Sequence, residues 1–185
     1  MRQSILAAMW TLLLSGCINL DAPPDPTRYF IMNGVGGSEE ANGFAVSVGP
    51  VSLEPYLATP RMVVRLDNNE LRFSDLNRWA EPLADNIRSV LAGNLAASRL
   101  GSLDNMPTNQ TRLFVKVRVD RFEGYLPDRA VLRATWSVED LSGNLLASRR
   151  SEHVVSGWGG TDYQQLAGLL ETTLELLVDE IVSAL

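Results

Sequence analysis

Cysteine, histidine and lysine are almost absent from this 185-residue chain, each occurring once, as Cys17, His153 and Lys116. A single cysteine cannot form a disulfide within the chain, so folding has to depend on the burial of apolar side chains. The sequence also lacks the HExxH, GxSxG and Walker-type motifs that mark zinc, serine-hydrolase and nucleotide-binding sites. These absences argue against an enzyme, and no metal site is expected.

Positive charge is scarce as well. Sixteen Lys and Arg residues are outnumbered by 22 Asp and Glu residues, which gives a formal net charge of −6 and a sequence pI of about 4.8. Such an acidic chain is not expected to bind nucleic acid in general, because that requires a basic surface. No apolar run reaches the ~20 residues that a membrane-spanning helix needs.

The N-terminus has the pattern of a secretory signal. Arg2 provides a positive charge, an apolar run extends from Ile5 to Leu14, and Ser15 and Gly16 are small. A charged start, a short apolar middle and a small-residue exit are typical of a leader that is removed. We therefore assign residues 1–16 to a signal peptide. Removing 16 of the 185 residues leaves 169, enough for one domain with a core.

The four residues Leu14, Ser15, Gly16 and Cys17 make this signal more specific. They resemble the lipobox of bacterial lipoproteins, in which the cysteine thiol takes a diacylglyceryl group and a peptidase cuts just before it. The resemblance implies diacylglycerol and an N-acyl chain on Cys17, and no other cofactor. Two or more acyl chains anchor a protein stably, since each buried methylene contributes ~0.8 kcal/mol. The alternative is an ordinary signal peptide followed by an unmodified thiol.

The residues after Cys17 predict where the anchor is inserted. Asp directly after the cysteine is the usual signal for retention in the inner membrane of Gram-negative bacteria, and Ile18 stands there instead. We therefore expect attachment to the outer membrane, facing the periplasm. Residues 17–26 include a Pro-rich stretch, 21–26, which is either an extended tether of ~3 Å per residue or a terminus without a set geometry. Residues 27–185 are expected to form the folded domain.

Apolar patterns predict strands on both sides of a helix. Short strands are expected at 28–32, 44–51 and 61–66, and a short edge strand at 71–73. Pro55 and Pro60 argue against a central strand between them. Two longer runs, 113–120 and 132–139, alternate apolar and polar side chains, and a further strand is expected from 145 to about 155. Together the three predict an antiparallel meander.

Two helices are predicted from apolar residues spaced three and four apart. The first is expected to start between Asn77 and Glu81, because Pro82 is tolerated only in a first turn, and to stop at Gly101. The last follows a Gly-rich link at 156–160, expected to be flexible, and a capping box at 161–164. Their predicted buried stripes are Trp79, Leu83, Ile87, Val90, Leu91 and Leu95, and Leu166, Leu169, Leu170, Leu174, Leu177 and Ile181. The order of elements predicts a single mixed α/β domain.

A cationic patch is the first candidate partner-binding site. Lys116, Arg118 and Arg133, with Arg149 or Arg150, stand at outward positions of the predicted meander. Together they could meet anionic headgroups or an acidic partner. A solvated sheet face is the alternative interpretation.

An acidic stripe on the last helix is the second candidate. Glu171, Glu175 and Asp179 lie four residues apart, where like charges repel by a few tenths of a kcal/mol per pair. A stripe that costs stability could serve a basic partner or an Arg-lined neighbouring subunit. The alternative is again a plain solvated face.

Individual titratable residues give little indication of catalysis. His153 stands on a predicted strand beside ordinary strand and loop residues, so we expect a surface or packing role rather than a catalytic one. Acidic pairs such as Asp120 with Glu123 have no distinguishing context in the sequence.

Several segments resemble one protein family in order and spacing. They are residues 48–51 (VGPV), 55–57 (PYL), 61–65 (RMVVR), 78–83 (RWAEPL) and 91–95 (LAGNL). The family is PqiC/YmbA-like, the auxiliary lipoproteins of ABC-type and MCE-type transport systems. RWAEPL is its most specific element here. Within it, Trp79 and Leu83 are expected in the core, and Glu81 and Pro82 at the start of the helix.

The resemblance implies a fold and a function. The fold would be a three-layer mixed sheet similar to the anticodon-binding-domain and TolB N-terminal folds. The protein would be a non-enzymatic outer-membrane lipoprotein that self-associates and docks an MCE-domain tunnel protein, in an apparatus that moves phospholipid or other hydrophobic molecules. Two alternatives stay open: an envelope-structure protein that binds peptidoglycan or another outer-membrane assembly, and a carrier with a lipid pocket of its own.

Overall fold

The computed structural model describes residues 24–34, 44–66, 69–98 and 111–185. The lipobox, Cys17 and the first part of the tether lie outside these residues, as does Gly101, the expected end of the first helix. The described part of the chain contains eight strands, two α-helices and one short 3-10 helix. The strands are β1 (Arg28–Phe30), β2 (Phe44–Val48), β3 (Ser52–Leu53), β4 (Arg61–Arg65), β5 (Leu71–Trp79), β6 (Thr111–Tyr125), β7 (Arg129–Asp140) and β8 (Leu145–Ser156). The helices are α1 (Leu83–Ala97) and α2 (Tyr163–Ser183), and the 3-10 helix is Pro55–Leu57.

All eight described strands belong to one mixed sheet. Six of them follow the order β1-β5-β4-β6-β7-β8, and β2 and β3 each pair with β6 beside this path. The longest strand, β6, organises it. One edge of β6 pairs antiparallel with β7, and β7 pairs antiparallel with β8, which confirms the predicted meander. The other edge of β6 is shared by three short parallel partners in succession, β2, β3 and β4. Proline-marked residues 55–60 lie between β3 and β4, as expected.

The alternation in β6 and β7 places the core on one face of the sheet. Leu113, Val115, Val117 and Val119 are buried, as are Leu132, Ala134, Trp136 and Val138 on the neighbouring strand. Helix α2 packs against β6, β7 and β8, and α1 packs against α2 and β2. The mixed α/β domain with two main helices is therefore confirmed. The two helices contact each other and form a helix layer on this face of the sheet.

Strand β5 differs from its prediction. It is nine residues long and lies between β1 and β4, rather than a short edge strand at 71–73. Trp79 ends this strand, with its backbone N–H donating to Pro60 O at 2.7 Å, and does not belong to the helix. Helix α1 begins only at Leu83, with Pro82 at its N-cap. Proline disfavours helical geometry in the residue before it, so Glu81 could not extend the helix backwards.

The link before α2 was also predicted wrongly. Trp158 is only 1% exposed, and its indole Nε1 donates to Asp162 O at 2.9 Å, so the Gly-rich stretch is anchored to the core. The helix cap is Asp162, whose carboxylate accepts the backbone N–H groups of Gln164 and Gln165 at 2.9 and 3.3 Å. Thr161, the predicted cap, lies one residue too early, because an aspartate already occupies the position that satisfies the free amides.

Candidate functional site

The face of the sheet opposite the helices carries most of the charged side chains of the meander. A bulge in β6 between Val119 and Arg121 inserts Asp120 as one extra residue. Because side chains alternate, the register after the bulge returns Phe122 to the helix side and places Glu123 on the open face. Glu123 is nevertheless fully buried there, at 0% exposure.

Glu123 is buried by three neighbouring polar side chains. Its Oε1 accepts from Arg65 Nε at 2.5 Å and from Arg121 Nε at 2.8 Å. Its Oε2 accepts from the Tyr56 hydroxyl at 2.8 Å and from Arg65 Nη2 at 3.4 Å. The 3-10 helix brings Tyr56 over the sheet, and β4 brings Arg65 from the side, so three separate segments of the chain meet at one carboxylate.

The electrostatics follow from this geometry. Burial and the adjacent Glu123 carboxylate raise the pKa of the Tyr56 hydroxyl, so it stays protonated and donates. The hydrogen bond to Glu123 raises the pKa of Arg65, in spite of partial desolvation. A buried carboxylate is tolerated only when it is paired and its lone pairs are filled, and both conditions are met here. In the sequence nothing distinguishes Asp120 and Glu123 from other acidic residues. The β6 bulge places both carboxylates beside arginine side chains.

A polar cavity of about 410 Å³ opens above this network, here called the arginine basin. On its rim Arg118 pairs with Glu54 and Arg133 with Glu152, and Arg150 Nη2 lies 3.0 Å from Asp120 Oδ2. Five arginines share four carboxylates, which leaves a formal excess of one positive charge. The lining residues are Glu54, Tyr56, Arg65, Arg118, Asp120, Arg121, Arg133, Thr135 and Arg150.

The structure brings together only part of the predicted cationic patch. Arg118, Arg133 and Arg150 meet at the arginine basin, whereas Lys116 forms a separate exposed pair with Glu139 at 2.7 Å. Arg149 lies on the helix side, where its Nη1 is 3.3 Å from Glu180 Oε1. Sequence reasoning missed Arg65 and Arg121, because only the tertiary structure reveals which carboxylate they share.

The acidic stripe of α2 is divided in the structure. Glu171 is half-buried and accepts the backbone N–H of Asn33 at 3.1 Å, and burial raises its pKa. Glu175 and Asp179 are exposed and line a shallow cleft beside Ala97 at the C-terminus of α1. Two of the three predicted residues are thus accessible to a partner, and the third also supports the fold.

His153 lies in a packed cluster between β8 and α2. Its Nε2 is 3.1 Å from Glu180 Oε2, although without the angle of a hydrogen bond, and the Ser151 hydroxyl donates to Glu180 Oε1 at 2.7 Å. The serine and the histidine both approach the carboxylate instead of each other, so this is not the arrangement of an activated nucleophile. The cluster fits the packing role expected for His153. Across the described residues no group of three or more His, Cys, Asp and Glu side chains is arranged to hold a metal ion.

A second cavity, of about 440 Å³, is mainly apolar and lies at the start of α1. It contains most of the RWAEPL element. Trp79 and Leu83 are each 4% exposed, as expected for core residues, and Pro82 caps the helix at the cavity wall. Within the described ranges, neither helix is both long and apolar enough to cross a bilayer.

Comparison with known proteins completes this description. The family model for the ABC-type transport auxiliary lipoprotein component matches residues 32–182. A crystal structure of an uncharacterized protein shares 19% identity and a TM-score of 0.68, over 84% of this chain and 95% of the other. Protein XCC0632 from Xanthomonas campestris, of the family DUF330, shares 17% identity and a TM-score of 0.66, over 84% and 92%.

At such identities the two solved structures establish the fold alone. No curated protein matches the sequence. The family model covers the chain from just after β1 to the last turn of α2, which includes the arginine basin, the acidic stripe and the RWAEPL element. The chain therefore belongs to the family of ABC-type transport auxiliary lipoprotein components, and the resemblance seen in its sequence is confirmed.

Proposed function

We propose that this protein is a non-enzymatic docking component of an ABC/MCE-type system that moves lipid or another hydrophobic molecule between two membranes. Acyl chains on Cys17 would hold it in the outer membrane, and the domain would engage a periplasm-spanning MCE-domain partner. The observation that carries this proposal is the family match over residues 32–182. The lipobox-like Leu14 to Cys17 supports it, since it precedes the matched domain by a short tether.

The charged groups described above also favour docking over catalysis. The carboxylate at the centre of the arginine basin is saturated by Arg65, Arg121 and Tyr56, so it has no free lone pair to act as a base. The side chains of Arg118 and Arg150, on the rim of the basin, are 63% and 64% exposed. Exposed, paired charges of this kind steer and orient a partner more than they contribute affinity.

Lipid attachment can be tested at Cys17. Mass spectrometry of the mature N-terminus should find residue 17 as the first residue, carrying diacylglycerol and an N-acyl chain. The Cys17→Ala variant should lose its outer-membrane fractionation and its transport function, whereas Ser15→Ala, which keeps a small residue in the lipobox, should retain both. A Cys17→Ala protein that still fractionates with the outer membrane and supports transport would contradict the proposal.

Self-association is the second part of the proposal. The exposed carboxylates of Glu175 and Asp179 lie on the helix layer, and Arg118 and Arg150 lie on the opposite face of the sheet. Contact between these two different surfaces on successive copies would be heterologous, which builds rings or filaments. The Glu175→Lys/Asp179→Lys variant should then be smaller by light scattering than the native protein.

A matched control for that experiment is Glu70→Lys/Glu81→Lys, which makes the same charge change away from α2. An unchanged particle size for both variants would exclude this contact. The Arg118→Glu/Arg150→Glu variant, mixed with Glu175→Lys/Asp179→Lys, should restore assembly if the two surfaces meet.

A further inference from the structure

The outermost strand β1 presents apolar side chains to solvent. Tyr29 is 61% exposed and Ile31, just beyond the strand, is 50% exposed. Leu76, which precedes the β5 residues paired with β1, is 48% exposed. In the described part of the chain β1 pairs only with β5, so these side chains stand at one edge of the sheet.

This edge is held rigidly from the inside. Phe30 and Met32 alternate with the exposed residues and pack against the core. Both backbone groups of Met32 are bound by the Asn86 side chain of α1, each at 3.0 Å, and Phe30 O accepts the backbone N–H of Ala80 at 2.8 Å. Tyr29 and Ile31 therefore point outward from a fixed backbone rather than from a loose terminus.

Charged groups surround the apolar edge. Arg78 is the register partner of Tyr29, and Arg61 is the register partner of Arg78 on β4. Asp25, in the segment that enters β1, is close enough for the Arg78 charge to contribute to lowering its pKa, although hydrogen bonds to Thr27 are the larger cause. Tyrosine and arginine side chains are suited to a water–lipid boundary, because each combines an apolar body with a polar end.

The β1 edge lies closer to the proposed lipid anchor than the exposed apolar side chains of β8 do. Only seven residue steps separate Cys17 from Pro24, where the described chain begins, and these can span at most ~25 Å. Leu145 and Leu146 on β8, 61% and 51% exposed, lie at the opposite edge of the sheet. Five interstrand spacings of ~4.8 Å place the β8 edge roughly 24 Å from β1, where the tether enters the domain.

We propose that the β1 edge, formed by Tyr29, Ile31 and Leu76, rests on the headgroup and upper acyl region of the bilayer in which the lipid anchor is inserted. This inference depends on the proposed acylation of Cys17. The edge provides a second contact with the membrane that fixes the orientation of the domain. The β8 edge is then directed away from the bilayer, toward the periplasm.

The test uses the complete acylated protein reconstituted in vesicles of phosphatidylethanolamine and phosphatidylglycerol. Because Cys17 is the only cysteine and its sulfur is blocked in the proposed acylated form, a new cysteine can be labelled alone. Tyr29→Cys and Leu145→Cys, at two positions of equal 61% exposure, are labelled with an environment-sensitive fluorophore. Nitroxide-bearing lipids then quench any label that touches the bilayer.

The label at position 29 should be quenched several-fold more than the label at position 145 and should emit at shorter wavelength. Adding Ile31→Ser and Leu76→Ser to the Tyr29→Cys protein should reduce that quenching. Equal quenching at the two positions, or quenching at position 29 that the serine changes leave intact, would overturn the inference. Shielding at position 29 that appears only after a periplasmic partner is added would also overturn it, because the edge would then bind protein.

A protein that is not acylated at Cys17 would give a different result in this experiment. If Cys17 carried a free thiol, the unsubstituted protein would itself take up the label and would not stay with the vesicles. Retention on the vesicles without quenching at position 29 would leave the anchor intact and refute only the contact of the β1 edge.

Discussion

The two faces of the sheet bury side chains by different means. The face under the helices buries apolar residues of β6 and β7 against α1 and α2, and its stability comes from removing apolar surface from water. The open face also buries a charged group completely, the carboxylate of Glu123, which is surrounded by Arg65, Arg121 and Tyr56. Truncating a buried apolar side chain lowers stability in proportion to the apolar area lost. Removing any one partner of a buried charge instead leaves that charge incompletely paired, which costs much more. The difference predicts which substitutions each face can tolerate.

The largest effect is expected on the open face. Glu123→Ala removes the shared carboxylate and leaves two largely buried guanidinium groups facing each other, so it should lower the free energy of unfolding by about 3 to 5 kcal/mol. Urea denaturation measures the loss. Lys116→Ala, which breaks the exposed pair with Glu139 on the same face, should cost at most about 1 kcal/mol. Similar losses in the two variants would mean that burial does not distinguish these ion pairs.

Gly124 tests the tightness of the helix-covered face. A Cβ at this position would lie 2.6 Å from the Trp158 ring and 3.1 Å from Leu166 Cδ2, so Gly124→Ala should cost about 1 to 3 kcal/mol through overpacking. Gly159→Ala is the matched control, because nothing lies within 4 Å of its added Cβ. Thermal denaturation of both variants would show a loss for Gly124→Ala alone. A neutral Gly124→Ala would mean that Trp158 can move aside.

The start of α2 provides a smaller contrast. Asp162→Ala removes the carboxylate that accepts two backbone amides and should cost about 1 kcal/mol. Thr161→Ala changes the residue that the sequence pattern favoured as the cap and should leave the unfolding midpoint unchanged. A larger loss of stability for Thr161→Ala than for Asp162→Ala would mean that Thr161 caps the helix, as the capping-box pattern predicted.

The smallest predicted effect concerns Glu171 and depends on pH. Burial raises its pKa above the ordinary 4.5, so the unfolded chain loses this proton first as the pH rises. The native protein is therefore relatively more stable below pH 4.5 and loses that contribution as the pH rises through the folded pKa. Glu171→Gln should gain a few tenths of a kcal/mol near neutral pH, partly by relieving repulsion from Glu175.

The control for that prediction is Glu175→Gln. It relieves the same repulsion but leaves the Glu171 carboxylate half-buried, so its gain in stability near neutral pH should be smaller than that of Glu171→Gln. Identical pH profiles for the two variants would show that burial of Glu171 has no measurable effect on folding.

The sequence-based predictions were correct where a pattern lies within one element and wrong where burial depends on contacts between distant segments of the chain. The meander is confirmed, and so are five of the six stripe residues predicted for α2, because alternation and helical spacing are visible within one element. The sixth, Leu169, is only half-buried. Trp79 was misplaced because its four-residue spacing from Leu83 mimics a helix, although its burial is set by β1, Pro60 and Phe122. Trp158 was taken for part of a flexible link because nothing nearby in sequence reveals Gly124 beneath its ring.

The candidate sites show the same division. Arg118, Arg133 and Arg150 were predictable as outward charges of the meander. Their assembly with Glu54, Tyr56 and Arg65 was not, because it requires the β6 bulge and the crossing of the 3-10 helix over the sheet.

The sequence by itself determined the leader pattern ending at Cys17, the mixed α/β class and the apolar stripes, since each is written in the local order of residue types. Only the tertiary structure decided that a charged residue, Glu123, is buried on the open face and that the β1 and β8 edges lie at opposite ends of one sheet. Both outcomes result from pairing between segments far apart in the chain. No local spacing encodes those pairings, because they form only when the whole domain closes around its core.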